Sequence, residues 1–463
     1  MYLRYENKVS LHRKNYIAKD GERFGLLVDH NNIPDFWTTL YLTTNLRYEK
    51  HSTQKACLNH LVHFYLWEMI QGERIFERII NFSFDSNISN NDQFYTDLEI
   101  QKLADHCRLK TVSARRKILE RDSKKREDNT LKILFPVYKM PDPRVGKELF
   151  SNRLTTFADY FDFIAKNILR ERAAYSTYLD IIDNTRQAIL RQKKRGGHAK
   201  NKTNDPNRKS PPPEVFKYLM EIVEPSNDYN PYTISVRQRN YLLFKILYDT
   251  GLRAGEILQL KVSDINFAQC EIMVRARHDD PEDIFRKDEP NAKTLERDIP
   301  ISESLRDQIR EYVLNERRFI PNIQKHSFLF VSYKGLTKGQ PLSSIQFSRI
   351  VEKIAINKEL AQFIKTNGIL VDKRVTRHGF RHNLNNKLSK AIDQNNKDAI
   401  NEGRIHDFIS EKKEIEQRMY INGHKSEKSA EVYNLRHTKE QAEKLLKVEL
   451  EIIDQGIKEG RNQ

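Results

Sequence analysis

Between Ile33 and Gln71 the apolar pattern turns helical, with positions recurring at intervals of three and four, the repeat of one helix face rather than of a strand. Pro34 and Asp35 suit a helix start before Phe36, and Ser52 is a candidate cap for a second helix. In that helix Leu58, Leu61, Val62, Tyr65 and Met69 form the stripe expected to be buried, with His60 and His63 off it. Residues 97–128 read as further helices, and Phe135-Pro136 to Asp142-Pro143 breaks the pattern. Two more helices follow at Leu154 to Leu169 and Ala173 to Leu190. Ahead of them, Tyr16-Ile17 and Phe24 to Val28 flank Lys19-Asp20-Gly21-Glu22, which predicts a small hairpin. The pattern thus gives a segment, 1–30, with no assigned role and an all-helical domain over 31–190.

The sharpest boundary is residues 191–213, where Gln192-Lys193-Lys194-Arg195-Gly196-Gly197 leads into a polar stretch and then Pro211-Pro212-Pro213. This composition is that of a flexible linker closed by a stiff proline spacer. From 214 to 463 a second domain is expected. It opens with helices at Val215 to Val223 and Arg237 to Asp249, the latter stopped by a glycine cap at Asp249-Thr250-Gly251. A helix from Leu252 holds Arg253 in its first turn, and a strand is expected at Cys270 to Arg277. Near the end, Ala442, Leu445, Leu446, Leu450, Ile453 and Ile457 recur at helical spacing, so a helix with an apolar face is expected over Thr438 to Ile457.

Charge changes the picture. The chain carries 80 Lys plus Arg against 64 Asp plus Glu, a net +16, which favours a polyanionic partner, nucleic acid first. Solvated helix faces account for part of that charge. Locally, Lys110 to Arg126 holds eight basic residues against Glu120 and Asp122, and Arg191 to Lys209 holds eight against Asp205. Cys57, Cys107 and Cys270 lie far apart with no metal-ligand spacing, which fits a reducing compartment. With no run of about 18 apolar residues and no apolar segment at the start, a membrane span and a secretory signal are not expected. A cytoplasmic location is.

The chemistry concentrates in the tail, at His378-Gly379-Phe380-Arg381, Gly423-His424 and Tyr433. A phenol with an ordinary pKa of about 10 is a poor nucleophile at neutral pH, so it needs a base for its proton and cations for phosphate charge. His378 and Arg381, three apart, share one helix face. His424 and Tyr433 are separated by about two and a half helical turns.

Thr250-Gly251-Leu252-Arg253-x-x-Glu256-x-x-x-Leu260-x-x-x-Asp264 resembles the first arginine box of tyrosine recombinases, the phage integrase family. His378-x-x-Arg381, Gly423-His424 and Tyr433 resemble its second box, and Lys293-Thr294-Leu295-Glu296-Arg297-Asp298-Ile299-Pro300-Ile301 its lysine turn and following strand. The resemblance covers about 215 to 440 and, more loosely, the helical domain. It implies a mainly α fold with a small antiparallel β-sheet in the catalytic domain, in a two-domain DNA clamp of core-binding and catalytic domains. It also implies catalytic residues Arg253, Lys293, His378, Arg381, His424 and Tyr433, with no metal, ATP or other cofactor. The implied activity is site-specific recombination or integration for a mobile element, through a covalent 3′-phosphotyrosyl intermediate. A type IB topoisomerase-like nicking and resealing activity, or an inactive DNA-binding relative, are the alternatives. Double-stranded DNA, self-association on it as a tetramer, an accessory DNA-bending protein and a place on the bacterial nucleoid complete the expectation.

Two departures stand out. Arg381 and His424 are 43 positions apart, so the polar stretch Ala391 to Glu414 reads as a surface insertion. Six acids, Asp279, Asp280, Glu282, Asp283, Asp288 and Glu289, precede Lys293 where the family faces DNA. Such a loop must turn away, contact protein or act as a gate. Tyr420 is the nearest rival to Tyr433 as nucleophile, and is expected to be packed instead.

Overall fold

The computed structural model describes residues 11–84, 88–124, 144–196, 209–290, 292, 294–371, 373–427 and 435–461. It is mostly helical with small antiparallel sheets, and the chain divides at 201/202 into two compact units, with 18–22 grouped with the second.

In the first unit β1 (His12–Ile17) pairs antiparallel with β2 (Arg23–Val28), so the hairpin forms where the alternation and Gly21, at φ 91°, place it. Seven helices follow: α1 (Phe36–Asn45), α2 (His51–Gln71), α3 (Ile75–Phe82), α4 (Asp97–Arg108), α5 (Thr111–Lys124), α6 (Lys147–Leu169) and α7 (Tyr175–Arg191). Asp35 caps α1 by accepting from the Thr38 N–H. Ser52 does not cap α2, which starts one residue earlier after Lys50 with no side-chain cap. The apolar stripe of α2 is buried as its spacing demands, but so is His63. Because α2 packs against α4, α5 and α6, nearly its whole circumference is interior, and a polar residue off the stripe is enclosed too. His63 and His106 meet this with a reciprocal pair of 2.9 Å bonds, each Nε2 to the other's backbone carbonyl. Phe64, Trp67, Tyr95, Phe157 and Phe161 form the centre of this core. On α5, Ala114 and Ile118 face inward while Arg115, Arg116 and Lys117 are exposed. Most of the linker, 197–208, and the break at 135–143 lie outside the described residues.

The second unit contains α8 (Pro213–Ile222), α9 (Ile234–Thr250), α10 (Ala254–Gln259), β3 (Ile265–Asn266), β4 (Glu271–Val274) and β5 (Arg297–Pro300). Then come α11 (Glu303–Asn315), α12 (Ser344–Ala355), α13 (Lys358–Thr366), α14 (Arg377–Asn401), α15 (Glu411–Asn422) and α16 (Leu435–Arg461). The three strands form one antiparallel sheet in the order β3-β4-β5, with Ile272 opposite both Ile265 and Ile299. Phe380 of α14 packs edge-on against Phe216 of α8, centroids 4.9 Å apart, and lies 5.9 Å from Phe244 of α9. Burying one such ring contributes about 1.5–3 kcal/mol. This aromatic contact fixes the start of α14, and with it His378 and Arg381.

The stretch Ala391 to Glu414 is less a separate insertion than a continuation: α14 runs unbroken to Asn401, since nothing between Gly379 and Gly403 interrupts it. The return to α15 is tied back by Asn396, whose side chain both accepts from and donates to the Ile409 backbone. Many of its side chains are exposed, as a surface position requires. Among the described residues no helix is long and apolar enough to cross a membrane.

Candidate functional site

Each turn that carries a singled-out residue has its own local cause. Gly251 closes α9 in the left-handed region at φ 59°, and Arg253 follows as N-cap of α10, its N–H donating to Glu256 Oε2 at 2.5 Å. Thr376 caps α14 by accepting from the Gly379 N–H, which places His378 and Arg381 in its first turns. Gly423 ends α15 at φ 61°, turning His424 inward. A Cβ at 423 would lie 2.6 Å from Arg297 Nη1 and 3.0 Å from the Leu295 carbonyl, so only glycine fits.

These turns meet at one backbone atom. The Asn422 carbonyl accepts from Arg253 Nη1 at 3.2 Å and from Arg381 Nη2, while Arg381 Nη1 donates to the Gly251 carbonyl. His424 Nε2 is 3.5 Å from Arg381 Nη2, and both side chains are buried. Asn422 is itself held: its amide exchanges hydrogen bonds with Asn385, which also accepts from buried Arg418. Helices α14 and α15 are thereby locked at the depth of the two arginines.

The electrostatics follow from burial beside cations. Burial and the Arg381, Arg253 and Arg297 charges push the His424 imidazole down to about 4. His378 is lowered to about 4 by removal of its ring from water and by the Arg381, Arg253, Lys373 and Lys209 charges. The His378 residue as a whole is exposed, so solvent screens those charges, but every one of them favours the neutral ring. Burial works against the Glu256 carboxylate, yet Arg297, Arg381 and the Thr294 hydroxyl together hold its pKa below the ordinary value.

Of the six residues singled out by sequence, the structure brings Arg253, His378, Arg381 and His424 into one neighbourhood. Lys293 and Tyr433 lie outside the described residues. Tyr420, expected to be packed, is 61% exposed, its hydroxyl donating to the Asp298 carbonyl at 3.4 Å. It sits on the outer side of α15, where ring burial has no partner.

The acidic loop contacts protein. Asp283 and Arg286 form a buried pair at 2.6 Å, and Arg286 also donates to the Leu258 carbonyl. Asp280 pairs with Lys261 at 2.9 Å, and Glu282 takes the Ser327 N–H and hydroxyl. Much of the loop's negative charge is spent inside the fold.

Sequence reasoning quoted Glu256 in the first box without a role, and assigned none to the other side chains that brace the cluster: Thr294, Arg297 and Asn422. For Arg297 a signal existed. Alternation along β5 puts it on the same inward face as Ile299, an unusual place for a charge.

Residues 213–396 match the model of the phage integrase family. Over this segment, less than half of the chain, the protein is similar to phage integrase domains. Two curated relatives are both named tyrosine recombinase XerD. That of Halalkalibacterium halodurans is 25% identical over 146 residues, 32% of this chain and 39% of that protein. That of Lacticaseibacillus casei is 25% identical over 150 residues, 32% of this chain and 41% of that protein. The matched stretch therefore spans about two fifths of each relative. Among solved structures, a XerA recombinase aligns with 62% of this chain and 82% of its own at 18% identity and a TM-score of 0.33. A Tn1549 transposon integrase in complex with circular intermediate DNA aligns with 65% and 81% at 16% identity and a TM-score of 0.38. The matched segment begins with Pro213 at the first turn of α8 and runs into the latter part of α14, so Arg253 and Arg381 fall inside it and His424 beyond. Among the described residues no group of three or more His, Cys, Asp or Glu is placed to hold a metal ion.

Proposed function

We propose that the protein is a site-specific DNA recombinase or integrase, serving a mobile element, that cuts and rejoins strands through a covalent 3′-phosphotyrosyl intermediate. The observation that carries this reading is the meeting of Arg253 and Arg381 at the Asn422 carbonyl beside His424, with a neutral His378 at the start of the same helix as Arg381. Each guanidinium has five N–H donors, more than those carbonyls use, and its planar fork matches phosphate oxygens.

In the proposed reaction Tyr433 Oη attacks the phosphorus, the bond to the 5′ oxygen breaks, and the phosphate stays joined to the enzyme. His378, its pKa near 4, is unprotonated at pH 7 and takes the phenol proton. Lys293 gives a proton to the departing 5′ oxygen. Arg253, Arg381 and the N–H of His424 meet the charge that grows on the nonbridging oxygens. The reverse steps, with a different 5′ hydroxyl, rejoin the strand, so the bond energy is conserved in the intermediate without a nucleotide cofactor.

Duplex DNA is the proposed substrate, held by a clamp of the helical and integrase domains, with the exposed cations of α5 and the basic linker on the phosphate backbone. Assembly as a tetramer, an accessory DNA-bending protein and a place in the cytoplasm on the nucleoid belong to the same proposal. Leu445, Leu446, Val448, Leu450 and Ile452 of α16 are all more than half exposed, and this supports exchange of that helix between protomers.

The test uses a duplex recovered from a random-sequence pool by binding to the full chain, nicked beside the cleavage position so that cut ends diffuse away. The parent protein is expected to trap as a denaturant-stable adduct without added metal. Tyr433→Phe removes one oxygen and is expected to abolish the adduct while DNA binding survives. Adduct formation by Tyr433→Phe but not by Tyr420→Phe would transfer the nucleophile to Tyr420. Retention by both variants would end the mechanism.

A further inference from the structure

Arg297 has no part in that mechanism, yet its side chain, only 1% exposed, joins the α10 carboxylate Glu256, the turn before β5 and the end of α15. Nε donates to the Ile421 carbonyl at 2.8 Å, on the α15 turn that presents His424. Nη1 donates to Glu256 Oε1 at 2.9 Å and to the Leu295 carbonyl at 3.2 Å. The Leu295 N–H in turn donates to the Gly423 carbonyl at 3.1 Å, so the turn before β5 and the Gly423-His424 turn are stitched together around this guanidinium. Nη2 is buried with no hydrogen-bond partner among the described residues.

The decisive relation is with Glu256. This carboxylate is buried and faces two buried guanidiniums, Arg297 at 2.9 Å and Arg381 at 3.9 Å. A carboxylate so enclosed must be compensated by whatever cation is nearest. With Arg297 in place, Glu256 Oε1 is held by Arg297 and the Thr294 hydroxyl, Oε2 accepts from the Arg253 N–H, and Arg381 Nη1 stands off Oε2 at 3.9 Å. Remove Arg297, and Arg381 is the one guanidinium among the described residues still against this carboxylate, beside the neutral Thr294 hydroxyl and Arg253 N–H, so part of its charge is cancelled where a phosphate needs it.

We propose, building on the recombinase reading, that Arg297 is a positioning residue for strand cleavage. It claims Glu256 and thereby sets how much positive charge Arg381 presents to the scissile phosphate, while holding the turn before β5 against His424.

The experiment compares the full-length parent, Arg297→Ala and Arg297→Lys on the nicked duplex just described, in two forms. One has an ordinary scissile phosphodiester and the other a methylphosphonate, which lacks the nonbridging negative charge. Arg297→Ala is expected to slow adduct formation on the phosphodiester about 100-fold, a typical effect of weakening one charge contact to a transition state. DNA affinity should stay within about threefold, because the surface cations are untouched. On the methylphosphonate the deficit should shrink to under about tenfold, since less charge needs meeting, and Arg297→Lys should recover at least about tenfold on the phosphodiester. A purely structural role predicts the same deficit on both substrates. That outcome overturns the proposal, as does cleavage by Arg297→Ala within about threefold of the parent on the phosphodiester. If Arg297→Ala does not fold, Arg297→Lys alone decides: a larger deficit on the phosphodiester than on the methylphosphonate supports the proposal, and equal deficits refute it. Absence of any adduct with the parent would instead bring down the recombinase reading and this inference with it.

Discussion

Replacing Gly423 by Ala tests the packing of the pocket directly, and a second glycine supplies the control. Gly423 and Gly403 both follow helices in the left-handed region, at φ 61° and 69°. At Gly403 a Cβ meets nothing within 4 Å, so Gly403→Ala carries backbone strain alone, about 1 kcal/mol. At Gly423 the same methyl meets Arg297 Nη1 at 2.6 Å, Thr294 Cβ at 2.9 Å and the Leu295 carbonyl at 3.0 Å. None of these is the loose end of a side chain: Arg297 is held by Glu256 and Ile421, and Leu295 is hydrogen-bonded to Gly423 itself. Overpacking of this kind costs about 1–3 kcal/mol beyond the strain. Gly423→Ala is therefore expected to lose about 2–4 kcal/mol in all. In scanning calorimetry of the full chain its transition should fall roughly 5 °C below that of Gly403→Ala. Equal losses for the two variants would refute the argument that the turn before β5 is pressed against this glycine.

Acid should weaken the first unit through its paired histidines. Burial pushes His63 down to about 3, with the His106 ring and Arg153 lowering it further, and His106 down to about 4, against an ordinary value of 6.5. The unfolded chain thus takes up these protons first, so the stability is fully present above about pH 6.5 and is lost as pH falls toward 4, on the order of a few kcal/mol. Both tryptophans, Trp37 and Trp67, lie in this unit, so urea unfolding followed by their fluorescence reads it selectively. A midpoint that holds constant from pH 7 to pH 4.5 would contradict the assignment, and His106→Gln should show a smaller acid loss than the parent. Truncation after Arg436 removes nearly all of α16 and its exposed leucines. It should abolish cooperative assembly on DNA in gel shifts while single-protomer binding persists, and unchanged cooperativity would reject helix exchange.

What the sequence made legible is what depends on local rules. A glycine after a helical run announced the Gly251 turn, and three-residue spacing put His378 and Arg381 on one helix face. The stripe on α2 and the hairpin around Gly21 follow from period alone. What stayed hidden depends on closure between distant segments. Glu256 was visible in the first box, but its partners Thr294 and Arg297 stand 38 and 41 positions away. The acids after Asp279 read as a repulsive run because their cations, Lys261 and Arg286, reveal themselves only when the loop folds back. His63 misled for the opposite reason: periodicity assigns one buried face, whereas α2 is enclosed on several sides.

The charge balance of the pocket ties these observations together. Around the Asn422 carbonyl stand Arg253, Arg381 and, through Glu256, Arg297, three guanidiniums against one carboxylate, which leaves two positive charges among the described residues. Concentrating cations away from water is unfavourable, and the fold accepts it by surrounding them with carbonyls and keeping both histidines neutral. A site held with surplus positive charge in a low-dielectric setting is electrostatically complete only when an anion enters it. Under the proposed reaction a phosphodiester brings one negative charge and the pentacoordinate transition state brings more, so the same surplus that burdens the free protein stabilises the step that breaks the strand.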